Sequence, residues 1–131
     1  MKCKISQIFN LEIEIVGGTF MDKPIKGLIN EELSFKPKFY LQKLLKKIME
    51  EKELFQKEQK KMFVEAGAVE KDGQLVLEPS EENAPVIEQL NKEIMELLND
   101  DVEFEGVNFD IENFDFKSES SYPVFMSVAF D

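Results

Sequence analysis

The chain has 131 residues, 43% of them hydrophobic, and a formal net charge of −11, and its 16 basic residues are all lysines. With no His, no side chain has an unperturbed pKa near neutrality, so acid–base work would fall to strongly shifted carboxylates or Lys, and serine triads and histidine metal sites are excluded; with no Arg, the bidentate fork that reads guanine or grips phosphate is missing. The lone Cys3 cannot form an internal disulfide or a thiolate zinc cluster, and the expectation is therefore a protein that is not an enzyme, with no catalytic residues, no metal and no cofactor.

The length fits one domain spanning 1–131. No apolar run approaches the roughly 20 residues of a membrane span, and Met1 to Gln7 lacks the apolar core of a signal peptide, so a cytoplasmic location without membrane association is expected. Charge is unevenly spread: residues 1–66 carry 13 Lys and 10 acids, residues 67–131 carry 3 Lys and 17 acids. Only the first half is suited to attract an anion.

Along the chain, residues 4–16 end in the alternating run Leu11-Glu12-Ile13-Glu14-Ile15-Val16, which reads as a strand with one wet face, stopped by Gly17-Gly18. Residues 1–35 are accordingly assigned to N-terminal strands, with an extended Lys36 before Pro37. From Pro37 to about Ala66 neither Pro nor Gly interrupts the chain. Leu41, Leu44, Leu45, Ile48, Phe55, Met62, Phe63 and Ala66 recur at helical spacing, giving a helix of about 30 residues, on the order of 45 Å long. Gly67 is placed as the residue that ends it.

Asp72-Gly73 between apolar runs predicts a two-residue hairpin within 68–78. Ser80 or Asn83 can cap a second amphipathic helix carrying Val86, Ile87, Leu90, Ile94, Leu97 and Leu98, and the two helices form a hairpin over 37–99. In 101–131, read as C-terminal strands, apolar residues alternate with acids from Val102 to Phe116 as one or two acidic-faced strands, a Ser-rich turn spans Lys117 to Ser121, and the mainly apolar Tyr122 to Phe130 is a last strand or tail. The fold class is α+β, with a long and a shorter helix packed on a small, mainly antiparallel sheet built from both chain ends.

The stretch Leu33-Ser34-Phe35-Lys36-Pro37-Lys38-Phe39-Tyr40-Leu41-Gln42-Lys43-Leu44, a Lys/Glu-rich helix, Asp72-Gly73 and then Glu96-Leu97-Leu98 before an acidic segment form a layout across roughly residues 28–116. It resembles small proteins of unknown function encoded by phages and prophages of low-GC Gram-positive bacteria and by gut phages. Where those proteins often carry Tyr-Gly at the helix end, this chain has Ala66-Gly67. The resemblance implies a viral accessory protein in the host cytoplasm and brings no catalytic residues with it.

Candidate ligand-binding residues are Lys36, Lys38, Phe39, Tyr40, Lys43 and Lys47. In an oligomer, several copies of this basic helix would line a pocket for a phosphate-bearing ligand, with Phe39 or Tyr40 stacking a base. Against this, interleaved Glu50, Glu51, Glu53 and Glu58 make an ordinary solvated face. Glu12 and Glu14 are read as the wet face of a strand rather than a catalytic pair, and Cys3 as a buried or incidental thiol. The acidic stretch Asp100 to Asp115 is read as guarded strand edges, with mimicry of DNA charge as the alternative.

Three functions follow as expectations. The first is a non-catalytic, phage-encoded counter-defence protein, a homo-oligomer that sequesters a nucleotide-type immune signal or blocks a host defence protein. The others are a virion assembly or scaffolding factor and an acidic DNA mimic that inhibits a nuclease. Sequence-specific nucleic-acid binding is not expected.

Overall fold

The computed structural model describes residues 1–115, 118 and 120–130. Its α+β architecture contains four α-helices and three two-stranded antiparallel sheets among the described residues. Contacts gather the chain into two compact units, Met1–Lys52 with Asp101–Asp131, and Glu53–Asp100. One helix, α2 (Phe35–Glu65), contributes to both.

In the first unit, β1 (Lys2–Lys4) pairs with a strand from the far end of the sequence, Asp101–Glu103, in the register Cys3 to Val102. Those two inward-facing side chains are buried between exposed neighbours, the period-two pattern of a strand with one face on a core. The sheet thus joins the two chain ends as expected, but it is only three residues long.

Residues Ile5–Val16, expected as a strand, form helix α1. Its start is set by Gln7, whose Oε1 accepts the Lys4 N–H at 2.8 Å. Ile8, Leu11 and Ile15 are fully buried, and their spacing of three and four places them on one helical stripe. The alternation over Leu11 to Ile15 misled because Glu14, which a strand would turn to water, is buried.

The chain then turns through the hairpin β2 (Gly18–Phe20) and β3 (Lys23–Ile25). At its base, Gly17 and Gly27 have φ of +94° and +96°, and a side chain on either would meet backbone: 2.5 Å from the Lys26 carbonyl at Gly17, 2.6 Å from Val16 at Gly27. The absence of a Cβ is what lets these two segments touch.

Helix α2 begins at Phe35, so Lys36 is helical rather than extended. Proline lacks an N–H and is tolerated in a first turn, where that donor has no intrahelical acceptor. Leu41, Leu44 and Ile48 carry no exposed surface and lock this end of the helix into the first unit's core.

Two further assignments are corrected. Beyond β6 (Asp101–Glu103), residues 104–110 lack regular structure and Ile111–Phe114 form a 3₁₀ turn, not acidic-faced strands. Pro123–Phe130 is helix α4, not a strand; a short, mainly apolar run does not distinguish the two, and Pro123 occupies the first helical position that proline favours. The expected Ser-rich turn falls partly outside the described residues.

Phe109, Phe114, Phe125 and Phe130, read as strand residues, instead pack together in the core, while Phe116 lies outside the described residues. Phe125 is fully buried, with its ring centroid 5.1 Å from both Phe109 and Phe114, and Phe130 lies 5.7 Å from Phe114. Edge-to-face and tilted pairs of this kind add about 0.5–1.5 kcal/mol each beyond burial.

In the second unit, Gly67 ends α2 with φ +96°, and the Ala68 N–H reaches the Phe63 carbonyl at 3.0 Å, a Schellman closure. Asp72 and Gly73 both have positive φ and join β4 (Val69–Lys71) to β5 (Gln74–Val76), the predicted hairpin. Helix α3 (Ala84–Leu98) follows. Ser80 caps the preceding turn, its Oγ accepting the Asn83 N–H at 3.1 Å. Only Phe55 and Leu90 are buried in this unit.

Candidate functional site

The first half of α2 brings four of the six predicted residues onto one face. Lys36, Phe39, Tyr40 and Lys43 are spaced by three or four, so their side chains neighbour one another. The Lys43 ammonium lies 5.6 Å from the Phe39 ring centroid and 5.8 Å from that of Tyr40, and Lys36 lies 5.9 Å from Tyr40. These are cation–π distances.

Beside this cluster is a recess of about 250 Å³, walled by Lys36, Tyr40 and Phe109 and edged by Asn108, Asp110 and Asn113. Tyr40 meets Phe109 edge-on, centroids 6.3 Å apart. The recess thus offers aromatic surface, amide donors and acceptors, one carboxylate and one cation. Sequence reasoning missed the Asn108 to Asn113 edge because it read the segment as a strand; the 3₁₀ turn, in which Asp110 Oδ1 accepts the Glu112 N–H at 3.1 Å, brings these polar groups to the rim.

The other two predicted lysines, Lys38 and Lys47, fall outside the cluster. Lys47 pairs with Glu51 at 3.1 Å. With Lys43 it borders a second recess, of about 420 Å³, whose other wall carries Glu103 and Glu105. Lys43 also donates to the Gly106 carbonyl at 3.3 Å. Lys38, two positions from Lys36, is turned by about 200° from it on the helix and does not join the cluster. Phe35, absent from the predicted set, is 86% exposed one turn before Phe39.

The other candidates resolve into structural roles. Glu12 and Glu14, about 200° apart on a helix, form no pair: Glu12 takes Lys52 at 2.8 Å, and Glu14 accepts the N–H groups of Val124 at 3.2 Å and Phe125 at 2.8 Å. Burial pushes the Glu14 carboxyl above its ordinary range, and those two N–H groups partly offset the rise. Glu31 is buried and takes Lys26 at 3.2 Å. The Tyr122 phenol is raised chiefly by burial and then by the Glu31 charge.

A larger cavity, about 700 Å³, lies under the β2–β3 hairpin, walled by α1, the hairpin and the start of α4. Sequence reasoning did not anticipate it, because its walls come from segments about 100 residues apart. Among the described residues no cluster of His, Cys, Asp and Glu is arranged to hold a metal ion, and no helix is long and apolar enough to cross a membrane. No family model, curated protein or solved structure matches the chain.

Proposed function

We propose that this chain is a non-catalytic accessory binding protein that takes a planar, anionic ligand of the nucleotide type on the Lys36–Tyr40–Lys43 face of α2. The observation that carries the reading is the joining of three chemistries in one place. Tyr40 and Phe39 supply stacking surface, Lys36 and Lys43 supply charge for a phosphate, and Asn108, Asp110 and Asn113 edge a recess of about 250 Å³, room for a base rather than a whole nucleotide. Stacking of a base on an aromatic side chain contributes about 1–3 kcal/mol. The resemblance to phage-encoded proteins supports a counter-defence role, in which the bound nucleotide is an immune signal withdrawn from the host.

Titration of the protein with mononucleotides and cyclic dinucleotides, followed by amide NMR shifts, tests this. Binding should move the resonances of Lys36 to Lys43 and Asn108 to Asn113, and Lys43→Glu should weaken it at least tenfold. Binding that is unchanged by Lys43→Glu, or shifts confined elsewhere, would sink the assignment.

A second reading, an assembly factor that acts as a homo-oligomer, is favoured by the unit Glu53–Asp100. Leu54, Val64, Val69 and Met95 are each more than half exposed there. A groove of about 370 Å³ between α2 and α3 has a floor of Met62, Ala66, Val86 and Leu90 and is edged by Glu65 and Glu93. A unit of this size with two buried side chains gains burial by packing on another copy. Native mass spectrometry at micromolar concentration should show a discrete oligomer that Val86→Asp dissociates; a monomer throughout would exclude this reading.

A further inference from the structure

The 700 Å³ cavity under the hairpin has features that the proposed nucleotide site does not use. Its base is clamped, because Gly17 and Gly27 bring the end of α1 against the segment after β3 at distances no Cβ would allow. Its blade is unspent: every residue of Gly18–Phe20 is exposed, Phe20 is 44% and Met21 83% exposed, and the turn is made by Met21 and Asp22 at positive φ. Large apolar side chains at a hairpin tip add nothing to this chain's own core.

The cavity wall is mainly apolar, with Ile13, Phe20, Ile25 and Val124 among its residues. Set in that wall is Glu14, 5% exposed. Its two oxygens accept the N–H groups of Phe125 and Val124, and no lysine among the described residues lies within ion-pair distance of it. A carboxylate has about four lone-pair sites, so each oxygen keeps one acceptor position. A buried carboxylate without a cation is held at a cost that a bound cation would relieve. Lys23, the lysine that borders the cavity, is exposed at the hairpin and can keep its ammonium in solvent.

We propose that this cavity binds a small organic amine with an apolar body, its ammonium on Glu14 and its body against Ile13, Ile25 and Val124 beneath the Phe20 blade. The volume falls within the range of small-molecule sites, about 300–1,000 Å³. The site is independent of the α2 face, so either assignment stands or falls without the other.

The test uses the full chain and two isosteric probes, 3-phenylpropylamine and 3-phenylpropan-1-ol, titrated under amide NMR. The amine should shift Phe20 to Ile25 and Val124 to Phe125 and bind at least tenfold more tightly than the alcohol. Glu14→Gln, which retains an acceptor for one N–H, should abolish that preference. Ser121→Trp, a bulky substitution at the cavity wall, should block both probes and serves if the Gln variant fails to fold. Absence of shifts at millimolar amine, equal affinity for amine and alcohol, or amine binding that survives Ser121→Trp would each overturn the proposal.

Discussion

The carboxylate of Glu14 accepts the backbone N–H of Phe125 at 2.8 Å across 111 residues of sequence, fastening the end of α1 to the first turn of α4. The first N–H groups of a helix have no intrahelical acceptor, and here a side chain from another element supplies one. Glu14→Ala leaves the Val124 and Phe125 donors without it in a buried setting, an expected loss of about 1–3 kcal/mol. Urea denaturation of the variant measures it; a loss under about 0.5 kcal/mol, the ordinary scatter of surface changes, would contradict the capping role.

The same residue sets a pH dependence. Burial raises its carboxyl above the ordinary 4.5, so on raising the pH the unfolded chain releases this proton first. Between the ordinary value and the folded one the native state holds more protons, and stability from this group falls as pH rises through that window. Urea midpoints from pH 4.5 to 7 should therefore decline more steeply in the native sequence than in Glu14→Gln. Parallel curves would show that Glu14 titrates normally.

The two clamped glycines are distinguishable from the permissive ones. Gly27→Ala places a Cβ 2.6 Å from Val16 backbone at φ +96°, and the strain together with the forced separation should cost on the order of 3 kcal/mol. Gly73→Ala, at φ +80° in open space, should cost only about 1 kcal/mol, the left-handed penalty alone. Thermal melts of the pair decide; equal losses would mean that the close approach at Gly27 contributes nothing.

Cys3 should be chemically quiet. Burial, and secondarily the charge of Asp101, pushes its thiol from 9.0 to about 11. At pH 8 its thiolate population, and with it alkylation by iodoacetamide, is expected to be about 100-fold lower than in the denatured chain. Folded protein that labels within a few-fold of the denatured rate would mean the β1–β6 sheet opens readily.

By itself the sequence determined what depends on neighbours along the chain. The long helix follows from apolar residues at helical spacing in a stretch free of glycine, its end at Gly67 from the need for positive φ, and the hairpin at Asp72-Gly73 from a turn that demands two such residues. The α+β class and the meeting of the two chain ends in one small sheet were also legible. Tertiary structure decided what the local pattern left degenerate. Leu11 to Ile15 satisfies both a period of two and a period of 3.6, and the helix is the arrangement in which Glu14 reaches α4 while Ile8, Leu11 and Ile15 share one buried stripe. Tyr122 to Phe130 is apolar but for Ser127 and carries no clear period. It folds as a helix where Phe125 can meet Phe109 and Phe114, partners chosen by packing across the chain rather than by spacing within it.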